Sequence, residues 1–173
     1  CILADKEEIG SVGISGMQSH YFEHFMEGLC DAQGVKLSDC FVNSFCLSVD
    51  VSNAFDPNWP ETCDKRNNSQ LNYGVAICKY TGSRGKGGAS DASAEAMGHV
   101  RSTLDKAGVI WQIATLGKVD QGGGGTVAAY MANRNIVTVD AGVPVLSMHA
   151  PLELVSKLDC YETMLACKAI YLA

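Results

Sequence analysis

Residues 90–115, SDASAEAMGHVRSTLDKAGVIWQIAT, hold a helix and a strand back to back, and their reading decides the fold class. Ser90 is the candidate N-cap. Met97, Val100, Leu104 and Ala107 recur at the three- and four-residue spacing of one helical face, and Gly108 supplies the left-handed turn that ends the helix. The following run, VIWQIAT, is apolar and β-branched, as strands are.

The same alternation extends outward in both directions. Downstream, QGGGGT (121–126) reads as a glycine loop, TVAAYMANR (126–134) as a short helix and IVTVDAGV (136–143) as a strand. Pro151 opens a final helix with Leu154, Leu158, Tyr161 and Leu165 on one face. Upstream, YGVAICKY (73–80) and SFCLSVDV (44–51) read as strands separated by a polar loop, 51–72. Residues 19–32 read as a helix through Tyr21, Phe25 and Leu29, and CILA (1–4) as a strand running into an acidic loop. Strands alternating with helices predict an α/β layered sheet, with working residues on loops at the strand ends.

Composition narrows the function classes. The 173 residues suit one domain and are 47% hydrophobic, with 18 glycines and a net charge of −6. Beyond SRGKGG (83–88) no basic cluster occurs, which argues against a nucleic-acid surface. No run approaches the ~18 apolar residues of a membrane span, and no signal peptide opens the chain. Eight cysteines without a CxxC pair are expected to be reduced thiols of a cytoplasmic protein, not a disulfide framework or a zinc finger. The chain has no initiator Met and begins inside an apolar run, so it is expected to be the C-terminal part of something longer.

Three polar groups sit where strands end: Glu7 and Glu8 in DKEEIGS (5–11), Asp50 in LSVDV and His149 in VLSMHA. Carboxylate and imidazole at strand ends are ligand types for a catalytic zinc, and a neighbouring glutamate that does not ligate can act as general base. The plain alternatives stay open at this level. Adjacent glutamates are commonly solvated, an Asp after a strand is commonly a turn cap, and a single His is often only hydrogen-bonded.

The series DKEEIGSVGISGMQS, SVDVSNAFDPNWPE, KRNNSQLNYGVAICKYTGSRGKGGASDASAE, GKVDQGGGGT and DAGVPVLSMHAP resembles, in order and over essentially the whole chain, the aspartyl-aminopeptidase-like di-zinc metallopeptidases, closest to their bacterial branch. The resemblance implies a three-layer αβα sandwich around a mixed sheet, with residues 1–173 forming the C-terminal part of a catalytic domain. It implies a cytoplasmic homo-oligomer, a tetrahedral dodecamer, that acts on peptide substrates and on neither nucleic acid nor membrane. It makes Glu7 the general base toward a metal-bridging water. Glu8 and His149 become ligands of one Zn²⁺ and Asp50 a ligand of the other, with two ions per site.

The family's further His and bridging Asp come from an HxD element. None occurs here, the histidines being His20, His24, His99 and His149. The inserted dimerisation domain is also missing, and the isolated chain is expected to be inactive. Asn53 and Asp56 stand where many relatives carry histidine. Gly123, Gly124, Gly125 and Thr126 open a helix and are candidates to offer backbone N–H groups to substrate. Substrate preference is not readable, although Lys79, Arg84, Lys86 and Lys118 are the basic residues available to an acidic substrate. Two rivals remain: a noncatalytic assembly module on the same fold, and an anion- or nucleotide-binding module using the glycine loop. The latter is weakened because no GK[ST] follows the glycines.

Overall fold

The computed structural model describes residues 1–173. Strand β4 (Val137–Leu146) is the spine of a five-stranded mixed sheet. It pairs in parallel with β1 (Phe45–Asn53), from Phe45 opposite Val137 to Asn53 opposite Val145. On its other side it pairs antiparallel with β2 (Val75–Cys78), and further along with β5 (Leu154–Val155). Beyond β2 lies the parallel β3 (Trp111–Ile113), giving the order β1-β4-β2-β3. Paired on both sides, β4 is buried almost throughout, which explains why VTVDAGVPVL reads as a continuous apolar run and not an alternating one.

Helices cover both faces. Phe45 and Leu47 of β1, Val75 and Ile77 of β2, and Val139 and Ala141 of β4 meet one layer, α3 (Ala94–Ala107) and α5 (Lys157–Tyr171). Val100, Leu104 and Ala166 are fully buried there, and each large aliphatic side chain contributes roughly 1.5–3 kcal/mol by leaving water. Cys46 lies between Phe45 and Leu47 and points the other way, as strand alternation requires. It joins Met17, Phe41, Met131 and Ile136 under α1 (Tyr21–Gln33), α2 (Leu37–Val42) and α4 (Ala128–Ala132). The phenyl rings of Phe22 and Phe41 stack at 5.7 Å between α1 and α2. The architecture is the α/β layered sheet that the alternation predicts, in the three-layer αβα form that the resemblance implies. All eight cysteines are free, and no helix is long and apolar enough to cross a membrane.

Several local expectations are corrected. CILA forms no strand: Leu3 is 92% exposed, and the only pairing nearby is an isolated bridge from Asp5 to Gly16. An apolar run becomes a strand only where a neighbour completes its ladder, and within these residues none does. Helix α3 starts at Ala94, because Ser93 and not Ser90 accepts the Ala96 N–H; Ala107 faces solvent while Ala96 is buried. The final helix starts at Lys157, not Pro151, since Leu154 and Val155 extend the sheet and Ser156 then caps the helix by accepting the Leu158 N–H. Helix α2 lies in a stretch too short to show a period.

Candidate functional site

The EE pair sits in a single 3-10 turn, Glu7–Ile9, between two left-handed residues, Lys6 (φ 61°) and Gly10 (φ 88°). In such a turn successive side chains are about 120° apart, so two neighbours can both border one cleft, whereas a strand would send them to opposite faces. The turn is tied down at both ends. Ser15 Oγ donates to Asp5 at 2.7 Å, Ser11 N–H to the Lys6 carbonyl, and Gln18 Nε2 to the Gly10 carbonyl at 2.7 Å.

Glu7 and Glu8 face a cleft of about 530 Å³, whose wall also includes Asp50, Asn53, His149, Glu153 and the glycine segment Gly122–Thr126. Asp50 projects from β1, and its Oδ1 accepts the Val51 N–H at 2.7 Å. Opposite it in register stands Gly142, where a Cβ would come within 2.8 Å of the Val51 backbone, so only glycine lets the strands approach this closely. His149 follows β4 in a left-handed conformation (φ 67°), with Ser147 likewise at φ 60°. Such geometry is costly for non-glycine residues and concentrates at working sites. Glu153 holds it by accepting the His149 N–H.

Residues remote in sequence therefore meet. His149 Nδ1 lies 3.6 Å from Glu8 Oε2. Burial raises the Glu7 carboxyl above its ordinary range, and the charges of Asp50 and Glu8 add to that while His149 opposes it. No lysine or arginine lines the cleft. As a donor set this fits a divalent cation in kind, because clustered carboxylates beside an imidazole have no built-in countercharge. It is short in number: no three of its His, Cys, Asp or Glu side chains come together in metal-holding geometry. Glu8 and His149 form one pair, and Asp50 stands apart.

The glycine segment is built for close approach. Gly123 (φ 86°) lies so near the Gly82 and Leu116 carbonyls that a Cβ would sit 2.3 and 2.7 Å from them. Gly82 N–H donates to the Gly124 carbonyl at 2.6 Å and Arg84 N–H to the Gly122 carbonyl at 3.0 Å. The N–H groups of Gly123, Gly124, Gly125 and Thr126 have no acceptor within the chain, although all four residues line the cleft.

None of Lys79, Arg84, Lys86 and Lys118 lines it. Lys79 and Lys86 both pair with Asp91, and Lys86 lies over the Tyr80 ring. His20 pairs with Glu23, and His99 meets Phe45 edge-on; neither lines the cleft. Two acidic residues escaped the sequence reading. Glu153 had a signal in its spacing of four after His149. Asp140, a carboxylate inside the apolar run of β4, had one in its being out of place there.

The description "Aminopeptidase I zinc metalloprotease (M18)" belongs to the family model that matches residues 1–171. A probable M18 family aminopeptidase 1 of Clostridium acetobutylicum is 51% identical over 94% of this chain and 36% of its own length. A crystal structure of an M18-family aminopeptidase from Thermotoga maritima superposes with a TM-score of 0.92 at 43% identity, over 96% of this chain and 38% of that one. A more distant likeness, 25% identical with a TM-score of 0.80, is to the S. cerevisiae mApe1 dodecamer. The chain thus spans well under half the length of the relatives it matches.

Proposed function

This chain belongs to the M18 family of aminopeptidase I zinc metalloproteases, and on that premise we propose that the protein it forms part of is a zinc aminopeptidase, with Glu7 as general base and Glu8, Asp50 and His149 as metal ligands. The observation that carries this reading is the meeting of Glu7, Glu8, Asp50 and His149 in one acidic cleft that no lysine or arginine lines.

Bound zinc would supply Lewis acidity toward the scissile carbonyl. Glu7 removes the proton from the attacking water and returns it to the departing amine. Glu8 and His149 would hold one ion and Asp50 the other, two ions per site being part of the proposal. Glu153 keeps the His149 backbone in place, so the imidazole stays directed at Glu8. The unpaired N–H groups of Gly123 to Thr126 receive a substrate carbonyl or carboxylate oxygen. A free amino terminus is attracted by the cleft's negative charge, which makes the enzyme an exopeptidase.

Residues 1–173 are proposed to be the C-terminal part of the catalytic domain, the remaining His and bridging carboxylate lying elsewhere in the protein. The whole protein is proposed to be a cytoplasmic homo-oligomer, dodecameric like the yeast protein.

The test uses the full-length protein, its Glu7→Gln variant and the 173-residue chain, with bound zinc and release of N-terminal residues measured on each. The variant should keep its zinc and lose roughly 10²–10⁴-fold in turnover. The short chain should bind zinc weakly and be inactive, since a catalytic zinc ordinarily has three protein ligands. Near-normal turnover in the variant overturns the base assignment. Zinc binding without hydrolysis by the full-length protein favours a noncatalytic module instead.

A further inference from the structure

Asp140 lies under the glycine segment at the centre of β4, 4% exposed. Its Oδ1 accepts a hydrogen bond from Thr126 Oγ1 at 2.6 Å, while its Oδ2 has no hydrogen-bond partner. Burying a carboxylate with so little compensation costs stability, so fold stability alone does not account for an acid at this position.

What the residue touches gives it a use. The Thr126 hydroxyl is committed twice: it donates to Asp140, and its oxygen accepts the Ala128 N–H at 3.4 Å at the start of α4. That hydroxyl therefore has no proton left to offer a ligand in the cleft. Immediately before it run the amides of Gly123, Gly124 and Gly125, which have no partner in the chain. Glycines lack side chains that could pack them in place, so such a segment is held only by its backbone bonds, Gly82 N–H to the Gly124 carbonyl and Arg84 N–H to the Gly122 carbonyl, and by whatever fixes its ends. At one end Gly122 N–H donates to the Lys118 carbonyl at 2.8 Å. At the other end stands the Thr126–Asp140 bond.

The geometry points to Asp140 as a positioning residue: acting through the Thr126 hydroxyl, it pins the Gly122–Thr126 segment to the sheet, so that the segment's free amides stay directed at the substrate oxygen. The role of those amides rests on the aminopeptidase reading above. The pinning itself does not, and the two fail separately.

The test compares full-length wild type with Thr126→Val, which keeps the shape and removes the hydroxyl, and Thr126→Ser, which restores it. Asp140→Asn, whose amide oxygen still accepts, is the intermediate case. Two readouts are taken. The first is hydrogen-exchange protection at Gly82, Arg84 and Gly122, whose amides are bonded to or within the segment. The second is kcat and KM for a peptide substrate, with bound zinc measured alongside.

In Thr126→Val, exchange at those three amides should speed up about tenfold, and KM should rise about tenfold with kcat changed less than about twofold and zinc retained. Thr126→Ser should return both readouts to wild type, and Asp140→Asn should fall between. If Asp140→Asn does not fold, the two Thr126 variants carry the test alone. Unchanged exchange in Thr126→Val overturns the proposal, as does failure of the serine to rescue. A KM shift without an exchange shift also overturns it, by making Thr126 itself the substrate contact. If wild type hydrolyses no peptide, the proposed function fails, and the exchange comparison still decides the anchor.

Discussion

Removing Asp159 should loosen the sheet without touching the cleft. This carboxylate, on the first turn of α5, is 0% exposed. Its two oxygens accept the N–H groups of Asn72 and Gly74, each at 2.8 Å, just ahead of β2. Gly74 has no freedom to move away, since it is in the left-handed region (φ 83°) and a Cβ there would lie 2.0 Å from the Ile110 carbonyl. Three residues further along α5, Glu162 accepts the Ile110 N–H at 2.9 Å, so one helix holds the start of β2 and of β3 together. Hydrogen bonds to a charged acceptor contribute roughly 1.5–3 kcal/mol each, and the loss of two is partly offset by no longer burying the charge. Asp159→Ala should therefore cost about 3–4 kcal/mol, or about 4 °C in the melting temperature of a protein of the relatives' length, more than twice that of this chain. Asp159→Asn should cost about half, because its amide oxygen keeps one bond while its NH₂ faces the other donor. Thermal unfolding of the full-length protein, with bound zinc and KM measured well below the transition, provides the assay. An alanine variant that melts within about 2 °C of wild type would refute the reasoning. So would one that keeps its melting temperature but loses zinc, since that would tie α5 to the cleft.

Two further outcomes follow from the buried groups. Burial pushes the Asp140 carboxyl up to about 6 from an ordinary 3.8, against the pull of the Thr126 hydroxyl. The folded state therefore holds this proton more tightly than the unfolded one. Its stabilisation is complete below pH 3.8 and is lost as pH rises through 6, and about 2.2 pH units correspond to roughly 3 kcal/mol. In metal-free protein, the melting temperature of wild type relative to Asp140→Asn should fall between pH 4 and 7 and level off above; a gap independent of pH counts against the buried charge. Leu104→Ala, at a fully buried α3 position, should cost about 2–5 kcal/mol, and Met97→Leu under about 1.5, by chemical denaturation; equal costs for the two would mean that α3 does not pack as described.

How much was legible in the sequence depends on how local each determinant is. The body of α3 was legible because Met97, Val100, Leu104 and the Gly108 stop are local to it; its cap was read as Ser90 where Ser93 accepts the Ala96 N–H, and Ala107 was read as core where it faces solvent. β1 and β4 were legible because they are apolar whatever pairs with them. CILA and PLELV were misread because a short, largely apolar run becomes strand, helix or neither according to the backbone beside it, and that backbone lies far off in sequence. Periodicity misled in a subtler way on α1. Tyr21, Phe25 and Leu29 do mark a helix, but they are 67%, 58% and 44% exposed, while Phe22, Met26 and Cys30 turn inward. A spacing of four reports that a stripe exists and not which stripe a core takes.

The site divides along the same line. Glu8, Asp50 and His149 carry chemistry unusual enough beside apolar runs to be picked out one by one, although only His149 follows a strand: Asp50 lies inside β1, and Glu8 in a 3-10 turn that no strand precedes. Their meeting depends on the parallel register of β1 with β4, which no single segment encodes. The placing of Glu7 beside Glu8 turns on the same distinction. A strand would send one glutamate away from the cleft; in the 3-10 turn between Lys6 and Gly10 both line it. Asp140 was the hardest to see because its effect passes through a threonine and a run of glycines to a ligand it never touches. A sequence shows residue types suited to chemistry. It does not show which of them hold the others still, and in this cleft that work falls to Asp140, Gln18 and Glu153.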